Sequence, residues 1–222
     1  MASTSSRHGI STGVAALTTT TVRCATPVLM PWRDDVDAIL VAGLPGQEGG
    51  HAVAAALLGD IEPAGRLVTT WPVADGATPA WDVVPTDGEL RYDEGPFLGH
   101  RGHADRRAPA PAYWFGHGLG YGDWEYGAAT VAGSLADGLR VTVELTNISR
   151  RDSREVVQVY LKPDQADLPV TLLGWSTVEL AAGESGTVEV VCDSRAAPAD
   201  ARGQVLVARG LGDLRCEESL KV

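Results

Sequence analysis

The chain reads as an α/β fragment followed by an all-β, immunoglobulin-like sandwich. Near the N-terminal side, an apolar run from Val36 to Ala42, broken by Asp37, leads into glycines and then into a stretch with helical periodicity. Toward the C-terminus, short runs alternate apolar and polar residues and are separated by turns. Between these two patterns the chain carries many prolines and glycines and no periodicity.

The elements follow in order. Residues Met1 to Thr26 are rich in Ser and Thr, lack periodicity and are expected to be disordered or a non-family N-terminal segment. Val36 to Ala42 is expected to be a strand covered on both faces, with a loop over Gly43 to Glu48 after it. A helix is predicted from about Glu48 to Leu58, with Gly50, Val53, Ala54, Leu57 and Leu58 on its inner face. Glu48 suits the positive end of the helix dipole, Gly59 a left-handed cap, and Pro63 prevents continuation. Strand, glycine turn and helix make half of a βαβ unit. From Gly65 to Gly122 the repeated prolines predict long ordered loops, of the kind that belong to a site or an interface.

Beyond Asp123 the strand signals are clear. Leu139, Val141, Val143 and Leu145 alternate with Arg140, Thr142, Glu144 and Thr146, which is the pattern of a half-buried strand. Similar runs lie at Val156 to Leu161, Thr177 to Leu180, Thr187 to Cys192 and Gln204 to Ala208. Turns at Ala136-Asp137-Gly138 and Ala181 to Glu184 separate them, and this rhythm predicts an antiparallel sandwich.

Composition bounds the partners. With 29 acidic against 18 basic residues in 222, the net charge is -11, and no cluster of Lys and Arg suits a phosphate backbone, so nucleic acid is not an expected partner. No stretch approaches the roughly 20 apolar residues of a membrane span, and Gly13 to Leu17 is too short for a signal peptide, so no membrane association is expected. Cys24, Cys192 and Cys216 have no metal-ligand spacing and are an odd number, which suggests reduced thiols and a cytoplasmic location.

Several blocks carry a resemblance. Leu44-Pro45-Gly46-Gln47-Glu48-Gly49-Gly50, Leu58-Gly59-Asp60, Pro63-Ala64-Gly65-Arg66-Leu67 and Trp71-Pro72 occur in order. They are followed by Arg91-Tyr92-Asp93-Glu94-Gly95, Gly99-His100-Arg101, Phe115-Gly116-His117-Gly118-Leu119, Glu155 to Tyr160 and Leu173-Gly174-Trp175. Together they resemble glycoside hydrolase family 3, with the family pattern entered at about Pro27. The resemblance implies three regions: the segment 1–26, the C-terminal part of the family's α/β-sandwich domain with its long loops over 27–122, and a fibronectin-III-like β-sandwich over 123–222. It also implies a retaining glycosidase chemistry with two carboxyl groups. In the family the nucleophile is an Asp of an N-terminal barrel and the acid/base is upstream of the Pro-Gly-Gln-Glu-Gly-Gly block, so neither is expected within this chain. His100 and His103 stand where many relatives carry tyrosines, and Gly120 and Gly122 are expected to loosen the segment after the Gly-His-Gly block.

The Gly43 to Gly50 loop lacks the glycine spacing or the Gly-Lys-Ser/Thr close of a nucleotide site. Glu48 reads as a helix-start carboxylate before it reads as an acid catalyst. Asp93 and Glu94, adjacent in an extended segment, should point to opposite faces. His117, and the His100/His103 pair, lack a third ligand for a metal. Trp114, Phe115, Tyr121, Trp124 and Tyr126 read as interface packing more readily than as a sugar platform. The expected assignment is therefore no catalytic residue, no cofactor, no metal and an unknown substrate-binding set. The partners the resemblance allows are a β-glycoside ligand and a barrel domain acting in trans. A chain inactive alone is the first expectation. A non-catalytic carbohydrate- or protein-binding module, with Asp75 to Pro111 as its contact surface, is the second, and a remnant with no stable fold the third.

Overall fold

The computed structural model describes residues 18–24, 26–81 and 83–220. Strand β1 (Thr19–Val22) pairs in parallel with β2 (Ala38–Val41), Thr19 opposite Ala38 and Val22 opposite Val41. The segment 1–26 is thus not disordered throughout. Threonine and valine favour a pleated backbone, so a run that looks compositionally simple is also a good strand once a neighbour supplies the hydrogen bonds. The rest of that expectation, residues 1–17 and 25, lies outside the described residues. Val22, Met30, Ile39, Val41, Leu67 and Trp71 pack into a small core under this sheet.

Helix α1 (Gly49–Leu58) ends at Gly59, whose φ of 83° provides the left-handed cap. Its inner face is not the expected one. Gly49 and Ala56 are buried and Val53 is half-buried, whereas Gly50, Ala54, Leu57 and Leu58 are exposed. The helix is apolar nearly all round, so periodicity could not choose a side; close packing did, because only a glycine fits where a Cβ on Gly49 would lie 2.5 Å from the Pro45 ring.

The long-loop region contains more order than its composition suggested. Residues 67–71 run alongside 113–117, with Leu67 and His117, and Trp71 and Tyr113, joined by backbone hydrogen bonds. A short helix, α2 (His100–Ala104), lies within the intervening loop. His100 stacks on Phe115 with ring centroids 4.4 Å apart, and burial, aided by Arg101, lowers its pKa from 6.5 to about 4.

The C-terminal part is a two-sheet sandwich. One sheet has the order β3 (Trp124–Ser134), β4 (Gly138–Asn147), β7 (Ser185–Val191). The other has the order β6 (Thr171–Leu180), β5 (Ser153–Pro163), β8 (Gly203–Gly210), β9 (Asp213–Ser219). The alternating residues Leu139, Val141, Val143 and Leu145 of β4 face Val157, Val159, Leu161, Val205 and Val207 across the core. Strand β5 is buried on both faces, because Tyr160 and its neighbours also pack against Trp114 and Phe115 of the loop region. Among the described residues no helix is long and apolar enough to cross a membrane.

Two carboxylates fasten the parts together. Glu155, fully buried, accepts from Arg66 Nη2 at 2.6 Å and pairs with Arg209 Nη2 at 2.9 Å. The Nε atoms of both arginines and Glu155 Oε2 are buried without a hydrogen bond, so Arg209 is held to Glu155 by charge, whereas Arg66 is hydrogen-bonded to it as well. Glu62 accepts from Tyr121 N at 2.8 Å, Gly122 N at 3.2 Å, Ser153 Oγ at 2.6 Å and Arg154 N at 2.8 Å. Gly120 and Gly122 do not loosen this segment. A Cβ at Gly120 would stand 2.2 Å from Glu62 Oε1, and one at Gly122 2.0 Å from Ser153 Oγ, so both glycines allow the carboxylate and strand to close in.

Removing one partner from a buried pair leaves a charge uncompensated, so Glu155→Gln should lower stability in urea by about 3–5 kcal/mol. Arg140→Gln, which breaks an exposed pair with Glu189, should cost at most about 1 kcal/mol. Gly122→Ala should lower the melting temperature by overpacking, at a cost of about 1–3 kcal/mol. A fourth expectation concerns pH. The folded state holds His100 neutral below its unfolded pKa of 6.5, so the unfolded chain binds more protons and stability falls as pH drops from 6.5 toward 4. His100→Phe should flatten that part of the profile. A residual slope should remain from His117, whose pKa is lowered by burial and by Arg66.

Candidate functional site

The loops between Trp71 and Tyr113 form a cleft of about 250 Å³ bounded by Pro79, Trp81, Thr86, Arg91, Asp93 and Glu94 among others. Its walls are anchored from behind. Pro79 lies so close to helix α2 that a Cβ at Gly102 would sit 2.4 Å from its ring, and Phe97 is buried beneath the Arg107 guanidinium at 3.4 Å. Gly76 lies against the Trp81 indole, where a Cβ would be 3.7 Å from Nε1. The rim is a tight hairpin in which Thr86 and Glu89 exchange backbone hydrogen bonds across Asp87 and Gly88. Both turn residues have positive φ, 53° and 83°, as a two-residue hairpin of this kind requires.

Asp93 and Glu94 both border this cleft, on a turn and not in the extended segment expected of them. The reason is backbone conformation: the chain turns here instead of extending, with Gly95 N donating to Tyr92 O and Phe97 N to Glu94 O. Glu48 sits at the head of α1, 72% exposed, with its Oε2 2.6 Å from His51 Nδ1. That is the helix-start placement, remote in sequence and contacts from the cleft carboxylates. Glu155, held by two guanidiniums, is committed to structure.

The histidines part company. His100 stacks on Phe115, while His103 is buried on the same helix with Nδ1 2.7 Å from Pro109 O and its ring edge-on to Trp114. His117 belongs to the paired segment beside 67–71 and leans on the Tyr113 ring. Among the described residues no group of three His, Cys, Asp or Glu is placed to hold a metal ion.

The aromatic cluster divides as well. Trp114 and Phe115 fill the junction against Tyr160 and Leu206, and the Tyr121 hydroxyl donates to Ala56 O of α1. Trp124 belongs to the sandwich core, with Tyr126 packed against it. The aromatic rings that meet solvent are others: Trp81 at 54%, Trp175 at 62% and Tyr92 at 74% exposure. The sequence offered one signal for Trp81, its position in the loop region singled out as a contact surface. Trp175 lies on the edge strand β6 beside a more apolar cleft lined by Val68, Phe115, Val156 and Leu172.

Comparison with known proteins gives these features a context. Residues 11–121 match the glycosyl hydrolase family 3 C-terminal domain, and residues 155–205 match the fibronectin type III-like domain. The family match thus begins upstream of Pro27, inside the segment 1–26. The chain is 42% identical over 171 residues to a beta-glucosidase of Rhizobium radiobacter, covering 72% of this chain and 21% of that protein. It is 37% identical over 170 residues to an exo-alpha-(1->6)-L-arabinopyranosidase of Bifidobacterium longum, covering 75% and 22%. Its fold superimposes on the crystal structure of DesR, a beta-glucosidase from Streptomyces venezuelae in complex with D-glucose, with a TM-score of 0.80 at 34% identity, over 92% of this chain and 29% of that one. The chain therefore spans about a fifth of the length of the curated relatives it matches. With both domain matches in order on one continuous fold, the chain belongs to glycoside hydrolase family 3 and carries that family's C-terminal domain followed by its fibronectin type III-like domain.

Proposed function

We propose that these residues form the C-terminal part of a β-glucosidase-like glycoside hydrolase, in which the reacting carboxylates are supplied by residues outside the 222. The observation that carries this reading is the placement of the carboxyl groups. A retaining mechanism needs two, about 5–5.5 Å apart across the bond, one of them with a raised pKa. Glu155 and Glu62 are consumed in fastening the two parts of the chain, Glu48 is solvated beside His51, and Asp93 and Glu94 of the loop cleft are consecutive residues on one turn and so are not set across a bond from each other. What remains is a rigid support whose loops are free to border a sugar site completed by a barrel, in the same polypeptide or in another.

The relatives' names include both a beta-glucosidase and an arabinopyranosidase, so the sugar is left to experiment. The reading extends to a cytoplasmic location, supported by three cysteines that are all free thiols.

The test is hydrolysis of aryl β-glucoside, β-xyloside and α-L-arabinopyranoside. The 222-residue chain alone should release no aryl alcohol, and the same chain joined to or mixed with a family barrel from the same genome should turn over at least one of the three. Turnover by the chain alone would overturn the proposal and direct mutagenesis to Glu48, Asp93 and Glu94. Absence of turnover with any barrel, with the fold intact, would instead favour a non-catalytic binding module.

A further inference from the structure

The loop cleft has a composition that packing alone does not explain. Between Trp81 and Leu98 the chain exposes Trp81, Val83, Leu90, Tyr92 and Leu98, although the same loop buries Phe97 well. One cleft is bordered by the exposed Trp81, by the acidic residues Glu89, Asp93 and Glu94, and by Arg91, over walls held by the close approach of Pro79 to Gly102. Arg91 is only loosely engaged, 3.7 Å from Glu89 with both side chains largely exposed.

We propose that this cleft is a subsite for one neutral pyranose ring. The ring lays its C–H face on Trp81, its adjacent hydroxyls donate to the carboxylates of Asp93 and Glu94, and Arg91 donates to a sugar oxygen. The inference rests on the carbohydrate reading above for its choice of sugar. Its location and chemistry come from the cleft itself. An indole presents a broad apolar face with little conformational freedom to lose, which matches the apolar face of a sugar. Carboxylates accept hydroxyl protons in charge-assisted hydrogen bonds, which are stronger than neutral ones.

The same features disfavour other occupants. An apolar protein side chain seated here would desolvate carboxylates without giving them donors. An anionic sugar or phosphate would face three carboxylates and one guanidinium. At about 250 Å³ the cleft is smaller than the roughly 300–1,000 Å³ of sites that enclose drug-sized ligands, which suits a single ring. The turn at Asp93 to Pro96 brings both residues to the border of one cleft, where an extended chain would send successive side chains to opposite faces.

The test follows the indole N–H signals of the six tryptophans by NMR in the isotope-labelled chain, with the Trp81 signal identified by its loss in Trp81→Phe. Methyl β-glucoside and cellobiose should shift the Trp81 signal saturably and leave the Trp71 and Trp124 signals, deep in their cores, in place. In the Asp93→Asn/Glu94→Gln variant the dissociation constant should rise on the order of tenfold, the loss of about one charge-assisted hydrogen bond. Methyl β-glucuronide should bind more weakly than the glucoside. The proposal is overturned if Trp81 does not respond to the neutral sugars, if the double variant binds them equally well, or if the glucuronide binds as tightly as the glucoside. Because the readout is binding to the chain alone, a missing response with hydrolysis intact in the presence of a barrel sinks only the subsite. Binding without any hydrolysis sinks only the proposed enzyme.

Discussion

A buried carboxylate between two arginines governs the architecture. Glu155 lies on the same face of β5 as Val157 and Val159, yet its partners come from Arg66 in the α/β part and Arg209 in β8. Such a cluster adds little net stability over a well-packed apolar alternative, because three charges leave water to form it. Its effect is on geometry. Any other docking of the α/β part on the sandwich would strand at least one buried charge, so the cluster sets one relative placement. Glu62 works in the same direction, since its four hydrogen bonds tie the end of the loop region to the start of β5.

Once that placement is fixed, the rest follows from packing. The segment 113–117 lies between residues 67–71 on one side and β5 on the other, and Gly116 is pressed so near Gln158 that a Cβ would stand 2.0 Å from its Oε1. Gln158 in turn donates to Gly116 O at 3.0 Å, and the Tyr160 hydroxyl donates to Gln158 Oε1 at 2.7 Å. The loops that leave this segment are therefore carried on a stiff base. Their cleft, bordered by Trp81, Asp93 and Glu94, is backed by the close contacts of Pro79 with Gly102 and of Phe97 with Arg107. A site on loops is precise only when the base beneath it does not move.

The strands with one buried face were legible as alternation, and β4 was read almost residue for residue. Strands β3 and β9 were not. Strand β3 is rich in Ala and Gly, and β9 is a charged edge strand, so neither places a regular apolar series on one face. Strand β1 was hidden by its threonines, and the inner face of α1 by a helix with almost no polar side. The motif blocks brought Glu155 and Arg66 to notice, but not their pairing across 89 positions. Gly120 and Gly122 were misread for a related reason, because the need for a missing side chain is visible only when the neighbour that fills its space is known. The shared cleft of Asp93 and Glu94 depended on one turn, which the sequence marked only by Gly95 and Pro96.

The shared Glu155 cluster should make the α/β part and the sandwich one cooperative body. Urea unfolding followed at two indoles, Trp71 in the small α/β core and Trp124 in the sandwich core, measures this. Coincident loss of the two native signals, with one midpoint, is the predicted result. Loss of the Trp71 signal at distinctly lower urea, with Trp124 still native, would mean two independent units and reduce Glu155 to a local contact.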